Sequence, residues 1–456
     1  MPLYEASVFP AVIFDIGTAY TKCGFAGEMG PRYIIPSQVK NRKGETQNVW
    51  DYKNSKELYE NLKEFLKHLY FRHITMKSQD RRVVVCESLL CPTVFRETLA
   101  KVLFQYFEVP SVYFVPSHLT PLYTLGIGCG LVMDVGYKEA SVIPIYEWTP
   151  VLRGLQILPL AGKAIHENLR VLLENSNNQA GNDKAAVKRP PVDDLTEEVL
   201  EDIKVRCCFV TNINRAKQIL SVYCGKEDSS KLPPSPPDVE YPFNGDSFLH
   251  ISGRVREEAC EVLFEQDNEE MSLSTMILDS LIKCPIDTRR ELAENLILTG
   301  GTCQLPGFYS RLQKELYDQL SKPRYSEKLK IQTFKFHQPP CIENYTAWLG
   351  GAIAGAMITL PGRSVSRESF MENNTLPDWY IPESAADPDV EGFKNVDMDP
   401  GDVDEVEYIF VDAVLDESSS LGLNLPVHIR YAAHSCNLVA SVDTDKALDS
   451  ASFKSA

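Results

Sequence analysis

At 456 residues the chain is longer than one hydrophobic core usually serves, which points to two large domains. With 44% hydrophobic and 24% charged residues most of it is expected to fold, and a formal charge of −17 argues against nucleic acid as the main partner, because a phosphate backbone is bound through clustered Lys and Arg. The acidity is concentrated late: residues 381–420 carry thirteen Asp or Glu against Lys394 alone, a net of −12 that leaves −5 for residues 1–380. Twelve cysteines run from Cys23 to Cys436 without the CxxC spacing of a zinc or redox site, so reduced thiols are expected, the adjacent Cys207 and Cys208 among them as buried residues. The apolar run Val8 to Phe14 is short, holds Pro10 and stops at Asp15, and no span is long enough for a bilayer. Neither secretion nor membrane insertion is expected.

The first element is an apolar strand, Val12-Ile13-Phe14, which runs into Asp15-Ile16-Gly17-Thr18 and then a second extended stretch, Tyr20 to Phe25, as a hairpin with a polar turn. Over residues 55–71, Leu58, Leu62, Phe65, Leu66 and Leu69 fall at helical spacing. Val83 to Cys86 reads as a buried strand, Phe95 to Phe107 as a helix and Ser111 to Val115 as a strand, the alternation of an α/β sheet. The opening pattern then returns. Leu131-Val132-Met133 leads into Asp134-Val135-Gly136-Tyr137 and out through Ala140 to Ile145, which an internal duplication explains. A third turn, Thr299-Gly300-Gly301-Thr302, follows Leu296-Ile297-Leu298, and a last packed helix begins near Trp348-Leu349-Gly350-Gly351.

Two polar stretches, Asn175 to Asp194 and Gly225 to Glu240, are expected as exposed loops of an inserted subdomain. Within the second, Pro233-Pro234-Ser235-Pro236-Pro237 is stiff and extended, read as a rigid surface loop, with docking on a partner's aromatic groove as the other reading. Beyond Trp379 the acidic stretch lacks periodicity and is expected to be disordered, interrupted by Tyr408-Ile409-Phe410-Val411 and Leu438-Val439-Ala440, which are read as part of an unstructured extension, with a short partner-binding segment as the other reading.

A tight turn between strands, with Gly where φ must be positive or a ligand approaches, points successive N–H groups at one spot and makes an anion-binding concavity. One Asp-x-Gly turn alone is an ordinary hairpin. Two matched copies and a Gly-Gly turn point instead to a clasp for polyphosphate between the turns at Gly17-Thr18 and Gly136, with the third turn, Gly300, Gly301 and Thr302, converging on the same cleft. Each Asp precedes its turn, where a carboxylate holds Mg²⁺ through water; Asp15 and Asp134 are the candidate metal-side residues. Lys22, on the strand leaving the first turn, can return its ammonium to the phosphates.

Phe14-Asp15-Ile16-Gly17-Thr18 through Lys22-Cys23-Gly24-Phe25-Ala26-Gly27, then Pro31-Arg32 and Pro36-Ser37, resembles the opening of actin. The resemblance continues in order through Val132-Met133-Asp134, Pro144-Ile145-Tyr146-Glu147, Pro159-Leu160-Ala161-Gly162-Lys163, Asp202-Ile203-Lys204, Thr299-Gly300-Gly301-Thr302 and Trp348-Leu349-Gly350-Gly351, covering residues 8 to 379. It implies the α/β fold of actin, Hsp70 and sugar kinases: two ribonuclease-H-like domains with ATP or ADP and Mg between them. Residues 8–145 with 340–379 are then the first domain, with a shortened insertion around 37–61; 146–339 are the second, with an inserted subdomain at about 161–262; 380–456 are the acidic tail. Lys204 is carried over as a nucleotide contact.

The departures matter as much. Where actins orient the attacking water with a glutamine and a histidine, Ser117 and Ser141 stand, too short to reach; His118 is a substitute base or, more simply, a structural donor. Tyr137 and Lys138 follow Gly136 where actins keep small residues, so side chains are expected to crowd the clasp, with Lys138 either facing the phosphates or solvent. An acidic ribose contact is replaced by Val205. The chain is therefore expected to be a pseudo-enzyme.

Between Ser37 and Leu62 the chain is about two dozen residues shorter than the actin pattern, lacking the loop that inserts into the next subunit, while the receiving cleft near Tyr123 and from Ala354 to Leu360 stays apolar. Leu69-Tyr70-Phe71-Arg72-His73, Asp80 to Val85, Phe107 to Val112, Leu263 to Glu270 and Cys284 to Arg289 resemble the dynactin pointed-end branch of actin-related proteins. The resemblance implies a subunit of the cytoplasm and cytoskeleton, partnered by actin-like filament subunits and other pointed-end dynactin subunits and indirectly by dynein. The acidic tail departs from that branch. An actin-like ATPase and a nuclear actin-related subunit of a chromatin remodeller are the alternatives.

Overall fold

The computed structural model describes residues 9–40, 44–179, 195–226, 228–243, 247–266, 270–357 and 360–376. The tail at 380–456, with Tyr408 to Val411 and Leu438 to Ala440, lies outside them, as does most of the first polar stretch. The described residues form two units: those at 9–16, 20–127 and 348–376 make the first, those at 17–19 and 128–347 the second. The division expected from the sequence lies at 145 and 340. Gly130–Val135 and Ala140–Tyr146 belong to the second unit because Gly130–Val135 pairs in parallel with Leu296–Thr299, with Leu131 opposite Leu296 and Asp134 opposite Thr299. A central strand goes where its backbone donors and acceptors are paired.

The first unit holds a six-stranded sheet in the order Val365–Ser366, Ser111–Pro116, Val83–Glu87, Val12–Ile16, Tyr20–Phe25, Tyr33–Pro36. The second holds Thr149–Pro150, Ala140–Tyr146, Gly130–Val135, Leu296–Thr299 and Phe336–His337, with Gln156–Leu158 also on Ala140–Tyr146. The duplication extends to register. Asp15 lies opposite Lys22 across its hairpin and Cys86 on the parallel side; Asp134 lies opposite Ser141 and Thr299. Val83–Glu87 is buried along its whole length, as a parallel strand covered on both faces must be.

Helix Ser55–His68 starts at Asn54, whose side chain accepts from the Lys56 and Glu57 N–H groups, and buries Leu58, Leu62, Phe65 and Leu66 on one face. Each such Leu, fully buried, contributes about 1.5–3 kcal/mol. The helix then widens to a π-turn over Leu69–Ile74, ended by Thr75 at φ 53°. Ahead of it, among the described residues, Gln38–Lys40 pairs with Thr46–Asn48 as a hairpin.

Two expectations for the second unit change. Helix Gly162–Gln179 runs into the stretch read as a loop from Asn175. Val239–Phe243 is a strand paired with Ser247–Ile251, burying Tyr241 and Phe243 and exposing Glu240 and Pro242, a period-two pattern that the neighbouring prolines obscured. The proline run is anchored through its carbonyls: Arg254 Nη2 donates to Pro233 at 2.8 Å, Arg215 Nη2 to Pro234 at 2.5 Å and Arg256 Nη1 to Pro237 at 2.5 Å. Arg215 and Arg254 also hold the fully buried carboxylate of Glu257, at 2.6 and 2.7 Å. A buried charge needs such partners.

Candidate functional site

In the first unit the antiparallel register sets Asp15 and Lys22 side by side, and Lys22 Nζ donates to Asp15 Oδ2 at 2.9 Å with both side chains largely buried. The cation expected at the phosphates thus stands at the end of the first strand, paired to the carboxylate expected on the metal side. Helix Thr346–Ala356 packs behind: Trp348 is fully buried and donates to the Ile13 carbonyl at 3.3 Å, and a β-carbon on Gly351 would lie 2.3 Å from Cys86 Sγ. The Trp-Leu-Gly-Gly motif therefore serves close packing. Beyond Ser111–Pro116, the Ser117 N–H bonds to the Glu87 carbonyl at 2.7 Å. His118 is 7% exposed, and burial pushes its imidazole down to about 4, so it is neutral near pH 7 and a weak base.

In the second unit three loops are stitched together. The Gly136 N–H bonds to the Glu139 carbonyl at 3.2 Å, while the Gly136 carbonyl accepts from the Gly162 N–H at 3.2 Å and from Thr302 Oγ1 at 2.7 Å. The Lys163 N–H bonds to the Tyr137 carbonyl at 2.7 Å. Gly300 has φ +94°, and a β-carbon there would lie 2.3 Å from the Val135 carbonyl oxygen and 2.5 Å from Asp134 Oδ1. Only glycine lets this turn approach the Asp134 strand so closely. Gly301 faces more room, with its nearest atom at 3.9 Å. Asp134, Gly136, Gly300, Gly301 and Thr302 are thus brought together, and residues 17–19, holding Gly17 and Thr18, also group with this unit. Lys138 is exposed.

Tyr137 does not simply crowd the turn. Its hydroxyl donates to Glu197 Oε2 at 2.9 Å, and its ring meets His166 edge-on at 5.4 Å. His166, 1% exposed, bridges Glu197 Oε2 at 2.8 Å and Glu201 Oε2 at 3.0 Å. Lys204 Nζ donates to the same Glu201 oxygen at 2.6 Å, so the lysine carried over as a nucleotide contact is already committed to a carboxylate. Burial pushes Glu201 up, but the His166 hydrogen bond and the Lys204 charge outweigh it and hold the carboxyl at about 2. Val205 is exposed. Gly162, quoted in the sequence only as part of a motif, is the centre of this group: a β-carbon on it would meet Tyr137, Lys204 Nζ and Thr302 Oγ1 at 3.3–3.4 Å.

The family model for actin matches residues 7–375. The chain belongs to the actin family. This actin-family chain is similar to "Actin-related protein 10" of Dictyostelium discoideum, 28% identical over 436 residues, 81% of this chain and 89% of that one. It is also similar to "Actin-like protein 7A" of Rattus norvegicus, 27% identical over 336 residues, 68% and 71% of the two chains. The α/β sheets and matched hairpins are accordingly those of the actin-like fold. Among the described residues no three His, Cys, Asp or Glu converge on a metal position and no helix is long and apolar enough to cross a membrane. Mg²⁺ held through water and phosphate needs only one or two carboxylates, a chemistry that Asp15 and Asp134, each on the central strand of its own unit's sheet, can each supply.

On the first unit, the expected receiving surface is partly core: Ala354 is 4% exposed, whereas Tyr123 and Met357 are half-buried. Tyr123 hydrogen-bonds to Arg363, and burial raises its phenol well above the ordinary range.

Proposed function

We propose that this chain is a non-catalytic actin-related subunit that caps the pointed end of the short actin-like filament of dynactin, in the cytoplasm, and so supports dynein-driven transport. The observation that carries the reading is the stretch from Ser37 to Asn54, where one hairpin, Gln38–Lys40 with Thr46–Asn48, stands in place of a long loop. A subunit that keeps a receiving surface at Tyr123 and Met357 but has no loop to extend ends a filament. The runs resembling the dynactin branch and the similarity to an actin-related protein support the same reading.

Adenine nucleotide with Mg²⁺ is the cofactor proposed, its metal on Asp15 and Asp134 through water, with Lys22 and the turns at Gly17-Thr18 and Gly136 toward the phosphates and Gly300-Gly301-Thr302 toward the adenosine. Mg²⁺ neutralises phosphate charge when bound. The chain's own groups favour holding over hydrolysis. Ser117 and Ser141 are short, and His118 at about 4 accepts a proton poorly near pH 7. The test is end-resolved growth of preformed actin-like filaments with trace amounts of the protein. Selective loss of pointed-end growth is expected; incorporation along filaments or equal binding at both ends overturns the cap.

A further inference from the structure

The π-turn Leu69–Ile74 and the residues after it expose apolar and cationic side chains. Phe71 is 77% exposed and Met76, five residues on, 44% exposed. Tyr33, 40% exposed, packs its ring against His73 at 4.8 Å and extends the same surface. The turn that displays them is strained: Thr75, a β-branched residue, sits at φ 53°, where such residues rarely go. Strain of this kind persists only where the surroundings impose it.

The charge of the surface is one-sided. From Phe65 to Gln79 there is no Asp or Glu, while Lys67, Arg72 and Lys77 are present with His68 and His73. Lys67 is paired to Glu64 at 2.8 Å, but among the described residues neither Arg72 nor Lys77, both exposed, has a carboxylate partner. The local field is felt by His68, which is lowered by burial first and then by His73 and Arg72.

The same chain carries a segment of complementary chemistry. Residues 402–417, Asp402 to Glu417, hold seven Asp or Glu, no Lys or Arg, and the apolar run Tyr408-Ile409-Phe410-Val411 at their middle. The described chain ends at Leu376, which packs on the core cluster of the first unit that also contains Leu69, Tyr70 and Ile74. Thirty-one residues, 377–407, lie between that exit and Tyr408. Fully extended they reach about 100 Å, against a radius of gyration of about 14 Å for a folded body of this size. Length therefore places no bar on the contact. We propose that residues 402–417 dock within the same chain on the surface formed by Phe71, Met76, Tyr33, Arg72 and Lys77, the Tyr-Ile-Phe-Val run covering the apolar side chains and its acidic flanks meeting the two cations.

The test uses the full-length protein, isolated as a monomer, with a photo-reactive benzoyl-phenylalanine in place of Tyr408. Irradiation followed by peptide mapping is expected to give intrachain links concentrated on residues 69–77. The yield is expected to fall at least fivefold in Phe71→Ser and in a paired Arg72→Glu, Lys77→Glu variant, and to fall in 0.5 M salt because the ion pairs are exposed to screening. All three positions are exposed, so the variants leave the fold intact, and unchanged near-UV circular dichroism checks this. Links that scatter over other surfaces, that join two chains or a co-purifying protein, or that are indifferent to both variants overturn the proposal.

Discussion

Gly300 combines two demands on one residue: a backbone at φ +94° and ψ 151°, and a carbonyl oxygen 2.3 Å from where a β-carbon would sit. That region of backbone space is almost closed to other residues, and the atom in the way is main chain that cannot swing aside. Gly300→Ala is expected to lower stability by at least about 2 kcal/mol, combining backbone strain with displacement of the Asp134 strand. Gly301→Ala, whose nearest contact would be at 3.9 Å, is expected to change it by less than about 1 kcal/mol. Denaturant midpoints compare the two; equal midpoints would refute the close approach. The sequence marks both glycines alike, because Gly-Gly announces a turn without saying which residue bears the positive φ.

Between elements, the contact most exposed to pH is the one joining helix Gly162–Gln179 to helix Glu197–Cys207 through His166. Glu201 is held at about 2 against an ordinary 4.5, a depressed carboxyl, so its contribution is fully present above about 4.5 and is lost as pH falls through about 2. Integrated over that shift it amounts to on the order of 1–3 kcal/mol. Glu201→Gln is expected to lose about that much at pH 7 and to show a flatter fall in thermal midpoint between pH 4.5 and 2 than the unchanged protein. Parallel slopes in the two proteins would remove Glu201 from the account of acid sensitivity. Helix 55–68 was legible from apolar spacing alone, whereas its widened end at Leu69–Ile74 was not, since one extra residue in a turn leaves the apolar periodicity almost unchanged.

For the molecule as a whole, the proposed capping role requires a surface that accepts a neighbour while the fold survives its alteration. Met357 is half-buried and Ala354 is core, three residues apart on the same segment. Met357→Asp puts a carboxylate where the neighbour's apolar loop would dock and is expected to weaken filament-end binding by tenfold or more, with the thermal midpoint little changed. Ala354→Asp buries the same charge inside the unit and is expected to prevent folding. Co-sedimentation with preformed filaments and thermal unfolding read the two effects; Met357→Asp binding as tightly as the parent would take this segment out of the contact.

By itself the sequence determined the α/β class, the two matched Asp-x-Gly hairpins and the third glycine turn, because these are local: alternation and turn chemistry are written in consecutive residues. The pairing of Asp15 with Lys22 was within reach for the same reason, seven residues apart across a tight hairpin. Only the tertiary structure decided that Gly130–Val135 belongs with Leu296–Thr299, that three arginines fasten the proline run, and that Tyr137, His166, Glu197, Glu201 and Lys204 form one network around Gly162. Most of those contacts join residues from about twenty to more than a hundred positions apart, and which ones meet depends on the register of strands whose connections impose no spacing rule on the side chains they bring together.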